Sequence, residues 1–161
     1  MFDDIDLQIL ELLQANARIG NAEIARQVGM APSAVLERLR KLEKKGILLG
    51  YETRLEPHAV GLGLLAFVMV KTNERAGDVS AGPALAAIPE VLEVHHVAGE
   101  DCYLLKVRAP SPEALGRILR DKFGAIRTVS STRSTIVLET IKEEIRLPLD
   151  QLVRRIDHDC P

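Results

Sequence analysis

Ala25, Gly29 and Val35 stand at a spacing that few folds accommodate: a small residue, a glycine four positions on, and a β-branched residue six beyond that. Two short helices that cross closely need each of them. The alanine lets the helices approach, the glycine supplies a turn with positive φ, and the valine plugs the second helix onto the first. The flanking residues agree. Residues 21–28, NAEIARQV, follow the start signals Gly20 and Asn21, offer Ile24, Ala25 and Val28 as a buried stripe, and stop at Gly29. The next helix begins at Pro32, places Val35, Leu39 and Leu42 at i, i+4 and i+7, and ends at Gly46. Ahead of both, residues 4–15, DIDLQILELLQA, set Ile5, Ile9, Leu12 and Leu13 at helical spacing, with Asp3 or Asp4 as N-cap. The spacing predicts three helices, the last two forming a helix-turn-helix.

Charge gives the third helix a purpose. The chain as a whole has a formal net charge of −2. Between Arg26 and Gly46, however, six Lys/Arg face only the two acids Glu37 and Glu43. A basic helix is usually a solvated face, but mounted on helix-turn-helix spacing it reads as a DNA-recognition helix. Such a helix enters the major groove with its N-terminal part, so Ser33, Ala34, Glu37 and Arg38 are expected near base edges. Arg40, Lys41, Lys44 and Lys45 lie later and suit phosphates. Leu36 suits a thymine methyl or packing on the preceding helix. The cations gather on one helix because only this face meets double-stranded DNA.

After Gly46 the pattern changes. ILLGYETRLEP (47–57) reads as a strand running into a linker that ends near Gly63. LLAFVMVKT (64–72) is a strand, 79–88 a short helix of small residues, VLEVHHVAG (91–99) and CYLLKVRA (102–109) a strand pair. SPEALGRILRDKF (111–123) is a helix with Leu115, Ile118 and Leu119 on one face, and residues 129–142 close as a long strand. The order βαββαβ is that of a ferredoxin-like, antiparallel sheet with both helices on one face. Its aliphatic strands call for a second subunit on the other face. The expected class is α+β, with a helix-turn-helix domain over 1–50, a strand-containing linker over 51–63, a βαββαβ domain over 64–145 and a helical tail over 146–161.

Several function classes fall away. At 161 residues with 47% hydrophobic content, most of the chain can fold around a core. The longest apolar run, 62–70, is far short of the ~20 residues that span a bilayer. The acidic start MFDDIDLQ does not read as a targeting peptide, so the expectation is a cytoplasmic protein without a membrane partner. Cys102 and Cys160 lack metal-site spacing, and adjacent His95 and His96 point to opposite strand faces and cannot share a metal. No Gly-rich phosphate loop, His-x3-His pair or nucleophile elbow is present, so no metal, cofactor or catalytic residue is expected.

The stretches DDIDLQILELLQANARIGNAEIARQVGMAPSAVLERLRKLEKKGIL, VLEVHHVAGEDCYLLKVRA and TRSTIVLETIK together resemble the Lrp/AsnC family of leucine- and asparagine-responsive regulators, over residues 2 to 148. The resemblance implies a winged-type DNA-binding domain and a βαββαβ regulatory domain. It also implies dimers that assemble further, to tetramers or octamers, with amino-acid effectors bound between dimers. One departure is Ala31, where similar proteins carry a serine N-cap, a loss of about 1 kcal/mol.

The resemblance also marks an effector loop. Gly99 and Tyr103 of GEDCY match its glycine and aromatic, while Thr132 and Ser134, two apart on one strand face, match its hydroxyl pair. Those hydroxyls suit an amino acid's carboxylate and ammonium. The loop's aspartate is Cys102 here, a weak and uncharged hydrogen-bonding partner. Asp101 faces away from Cys102 on a regular strand, and Glu100 lies in the turn. Two outcomes follow: a weak response to ordinary amino acids, or a different ligand that suits a thiol.

Two other functions compete. A sirohaem-decarboxylase-type enzyme shares a similar layout, but gathers substrate-facing His and Arg on its sheet, whereas the histidines here are split. The other is a pure interaction module, a paralogue that only tunes other family members by mixed assembly; failure to bind any genomic DNA as a homo-oligomer would favour it.

Overall fold

The computed structural model describes residues 3–75, 79–99 and 102–149. The chain divides into two compact units, residues 1–54 with 143–161, and residues 55–142.

The first unit is built on α1 (Asp4–Ala15), α2 (Asn21–Val28) and α3 (Pro32–Lys44). Asp3 opens α1 with a capping box: its carboxylate accepts from the Asp6 N–H at 2.9 Å, and the Asp6 carboxylate accepts from the Asp3 N–H at 3.3 Å. Gly29 ends α2 with φ 69°, and the Met30 N–H turns back to the Ala25 carbonyl at 2.9 Å. That positive φ is what the sequence reserved a glycine for. Ile9, Leu13, Ile24, Ala25, Val35 and Leu39 form one buried cluster, and each large member contributes about 1.5–3 kcal/mol by leaving water. Leu7 and Leu10, outside the stripe read from the sequence, are buried as well. Ala31 precedes α3 without a side-chain cap, as its methyl group requires.

The chain returns to this unit after the sheet. The Gln14 side-chain amide grips Leu147 at both ends, accepting from its N–H at 2.7 Å and donating to its carbonyl at 3.1 Å. Arg146 Nε adds a bond to the Gln14 carbonyl at 3.0 Å, and Arg54 Nη2 donates to the Glu143 carbonyl at 3.0 Å.

The second unit contains β1 (Leu64–Thr72), α4 (Ala81–Ala86), β2 (Val91–His96), β3 (Tyr103–Ala109), α5 (Pro112–Arg117) and β4 (Val129–Ile136). The strands lie in the order β2-β3-β1-β4, every pair antiparallel. Ala66, Val68 and Val70 pair with Val107, Leu105 and Tyr103. These six are buried with Leu85, Leu115, Ile118 and Phe123 from the helical side. The alternate residues Phe67, Met69, Leu104 and Lys106 occupy the other face, which no described helix covers; Phe67 keeps 38% of its surface exposed.

Four expectations change. Residues 47–56 form no strand, because a strand needs a neighbour's hydrogen-bonding groups and no described segment of this chain supplies them. The last strand stops at Ile136 rather than running to 142, since β1 begins at Leu64 and offers nothing beyond the Val137 N–H to Leu65 carbonyl bond. The helix over 111–123 widens into a π-helical stretch at Ile118–Phe123. It closes at Gly124, where a Cβ would collide with the Arg120 carbonyl. Residues 146–149 are not helical, and the rest of the expected tail helix lies outside the described residues.

Candidate nucleic-acid and effector sites

On α3, Ser33, Glu37, Arg40 and Lys44 recur at i, i+4, i+7 and i+11 and therefore share one face, opposite Val35, Leu39 and Leu42. All four are exposed. Lys41 is exposed on the flank, with half-buried Ala34 and Arg38 beside it, and Leu36 is 37% exposed on the other flank. The Pro32 start and the Val35 plug orient this face outward.

The cations fall into two groups. Arg26 Nη2 lies 2.6 Å from Glu23 Oε1; that guanidinium and the Gln27 amide hold the Glu23 carboxyl down at about 2. Arg38 Nη1 reaches three carboxylate oxygens, at 2.9 and 2.8 Å on Asp3 and 2.7 Å on Asp6. Arg40, Lys41, Lys44 and Lys45 have no ion-pair partner among the described residues. The sequence reading set Arg38 beside base edges; here its guanidinium is committed to the start of α1, and its side chain is only 25% exposed. Nothing in local spacing announces this, because the partners are 35 and 32 positions away.

The expected effector residues collect at one end of the second unit's sheet. Gly99 takes φ 134°, and beyond the loop the Val97 N–H bonds the Cys102 carbonyl at 2.9 Å. The Cys102 N–H bonds the Val70 carbonyl at 2.9 Å, and Val70 is also the partner of Thr132 on β4. Cys102 and Thr132 thus flank Val70 from its two sides. Cys102 is half-buried against the core. Thr132 and Ser134 lie opposite Val70 and Val68, on the helix-bearing face, yet are exposed on the edge strand. Asp101 lies outside the described residues.

Tyr103 is part of the core, 2% exposed, with its ring centroid 5.1 Å from that of His96. Its hydroxyl donates to Glu74 Oε2 at 3.3 Å. Glu74 was not singled out in the sequence, and it organises this end. Its carboxylate accepts from Thr72 Oγ1 at 3.1 Å, Ser80 Oγ at 2.9 Å and the Ala81 N–H at 2.6 Å. Burial pushes the Glu74 carboxyl up, but these donors outweigh it and hold the group below its ordinary range. Burial, reinforced by the Glu74 charge, pushes the Tyr103 hydroxyl up. An acid seven positions before the N–H it caps follows no helix-capping pattern.

His95 and His96 point to opposite faces, His95 toward Glu93 at 3.3 Å and His96 onto Tyr103. No group of three His, Cys, Asp or Glu among the described residues is placed to hold a metal. No described helix is long and apolar enough to cross a membrane.

Comparison with known proteins converges on the same two halves. Residues 2–43 match the AsnC-type helix-turn-helix domain, and residues 65–147 match the Lrp/AsnC ligand binding domain. The leucine-responsive regulatory protein of Escherichia coli strain K12 is 38% identical over 147 residues, 90% of each chain. A Neisseria meningitidis transcriptional regulator solved with L-methionine superposes with a TM-score of 0.87 at 33% identity, covering 94% of this chain and 99% of its own. The feast or famine regulatory protein of M. tuberculosis, complexed with L-methionine, gives 0.84 at 37% identity over 91% and 99%.

Proposed function

Because this chain belongs to the Lrp/AsnC family of transcriptional regulators, we propose that it binds operator DNA through α3 as a homo-oligomer whose occupancy an amino acid or related small molecule adjusts. The carrying observation is the α3 face opposite the core, where Arg40 and Lys44 stand exposed and unpaired among the described residues. Ser33 and Glu37, nearest the start of that face, meet base edges, with Ala34 beside them. Arg40, Lys41 and Lys44 meet phosphates. The uncovered sheet face, centred on Phe67, Met69 and Leu104, takes a second copy, and dimers assemble further to tetramers or octamers.

The effector binds between dimers at the sheet end that carries Gly99, Cys102, Tyr103, Thr132 and Ser134, with Asp101 a further candidate from the sequence alone. The thiol at 102 makes that response weak for ordinary amino acids. L-Methionine, bound in similar regulators, is the first to test. The protein works in the cytoplasm, holds no cofactor and is not an enzyme. Mixing it with sirohaem and finding a shifted absorbance band would favour the decarboxylase reading instead.

The direct experiment is recovery of bound genomic fragments by purified protein, with and without each amino acid. Enrichment of discrete fragments that share a sequence supports the reading. Failure to enrich any fragment as a homo-oligomer would leave only a partner that tunes other family members by mixed assembly. Lys44→Ala should weaken all duplexes alike and lower the slope of log affinity against log salt by about one for each α3 engaged.

A further inference from the structure

Arg38 is the one basic residue in the first half of α3, and the sequence reading assigns it to DNA. Its surroundings assign it elsewhere. A single nitrogen, Nη1, lies within 2.7–2.9 Å of three carboxylate oxygens belonging to Asp3 and Asp6. Those two acids are the N-cap and third residue of α1, already tied to each other by the capping box. Asp6 is 14% exposed, so the contact is shielded from water on one side and charge-assisted on both. The Arg38 guanidinium is held still more firmly protonated by these carboxylates, Asp3 foremost.

Geometry separates Arg38 from the reading face. Ser33, Glu37, Arg40 and Lys44 lie opposite the buried stripe, whereas Arg38 precedes the buried Leu39 by one position and follows the buried Val35 by three. It therefore leaves α3 along the flank that meets α1. A base contact would require it to abandon three short bonds and to leave Asp3 and Asp6, two negative charges, unneutralised beside the polyanion.

We infer that Arg38 is a positioning residue: it straps α3 to the capped start of α1 and sets the angle at which the reading face is presented, without touching base or phosphate. The inference rests on the α3 reading proposed above.

The test separates three roles by three signatures. Equilibrium binding is measured on a duplex enriched from a random-sequence pool by the unmutated chain, on all its single-base-pair variants, and over a range of salt. A strap predicts that Arg38→Met lowers affinity about 10-fold for the enriched duplex and by the same factor for every variant, with the salt slope unchanged. Loss of discrimination at one base pair would make Arg38 a base reader. A slope lowered by about one per helix would make it a phosphate contact. Either result overturns the inference.

A second measurement needs no DNA. Asp3→Asn with Asp6→Asn preserves the cap oxygens and removes both charges. Combined with Arg38→Met it should shift the urea midpoint no further than the larger of the two changes alone. Additive shifts would show that no strap exists. If the unmutated chain enriches no duplex, the regulator reading fails, and the urea cycle still decides the strap.

Discussion

The two surfaces proposed to meet ligands, one in each unit, are built on opposite plans. The surface proposed for DNA lies within one helix: four residues of α3 share a face, and the core directly behind it sets their direction. The surface proposed for the effector draws on β1, Gly99 and Cys102 before β3, and β4, and its hydroxyls Thr132 and Ser134 stand exposed on an edge strand. A surface made from one periodic element can work in a single copy. A surface made from a sheet edge is half a site until something closes it, and this is where regulation by assembly can enter.

The sharpest way to break that contrast is to keep the protein monomeric. Phe67→Asp places a charge on the uncovered sheet face without touching the buried one. Sedimentation at micromolar concentration should show a monomer, and operator affinity should fall 100-fold or more as paired half-sites lose avidity. A dimer of unchanged affinity would move the contact off this face. Next in size is the thiol. Cys102→Asp restores a charged acceptor and should tighten at least one amino acid by about 10- to 100-fold in calorimetry, or about 1.5–3 kcal/mol. Micromolar binding by the unmutated chain, unmoved by the change, would show that position 102 does not set affinity.

A smaller effect tests what holds the effector end together. Glu74→Ala strips an acceptor from Thr72, Ser80, Tyr103 and the first N–H of α4. Urea unfolding should register a loss of about 1–3 kcal/mol in this unit, with DNA contacts intact. The smallest effect belongs to the first unit in acid. Asp3 is held below its ordinary 3.8, by the Asp6 N–H first and by Arg38 next, and Glu23 is held at about 2 against an ordinary 4.5. Both folded values are depressed, so their stabilisation is complete above the ordinary values and is lost as pH falls through the folded ones. The urea midpoint should drop below about pH 4.5, and Glu23→Gln should flatten the part between 4.5 and 2. A midpoint that rises in that range would contradict both assignments.

Periodicity carried the reading wherever one element determines its own burial. Val35, Leu39 and Leu42 on α3, and the alternation from Ala66 to Val70 on β1, are inside as their spacing demands. The misses share a cause: they depend on partners far along the chain. Residues 47–56 have strand composition, but composition does not supply a neighbouring strand. The bonds from Arg38 to Asp3 and Asp6 were equally illegible, though whether Arg38 also meets DNA is a separate matter: Arg38 and Arg40 look alike in sequence, yet two positions turn one toward α1 and the other away from the core. Glu74 gains its role only when folding brings Ala81 and Tyr103 to it. The effector residues came from resemblance rather than spacing, since a hydroxyl pair on a strand has no pattern of its own.

The grip of Gln14 on Leu147 means that the DNA-binding unit is interrupted rather than terminal. Its polypeptide departs after residue 54 and is resumed at residue 143, so the regulatory unit is an insertion within it. During synthesis the three helices emerge first, and the Leu147 backbone that Gln14 holds follows 133 positions later. An excised fragment of residues 1–54 therefore lacks the backbone that Gln14 and Arg54 hold, and β4 is joined to that backbone by only the six residues between Ile136 and Glu143.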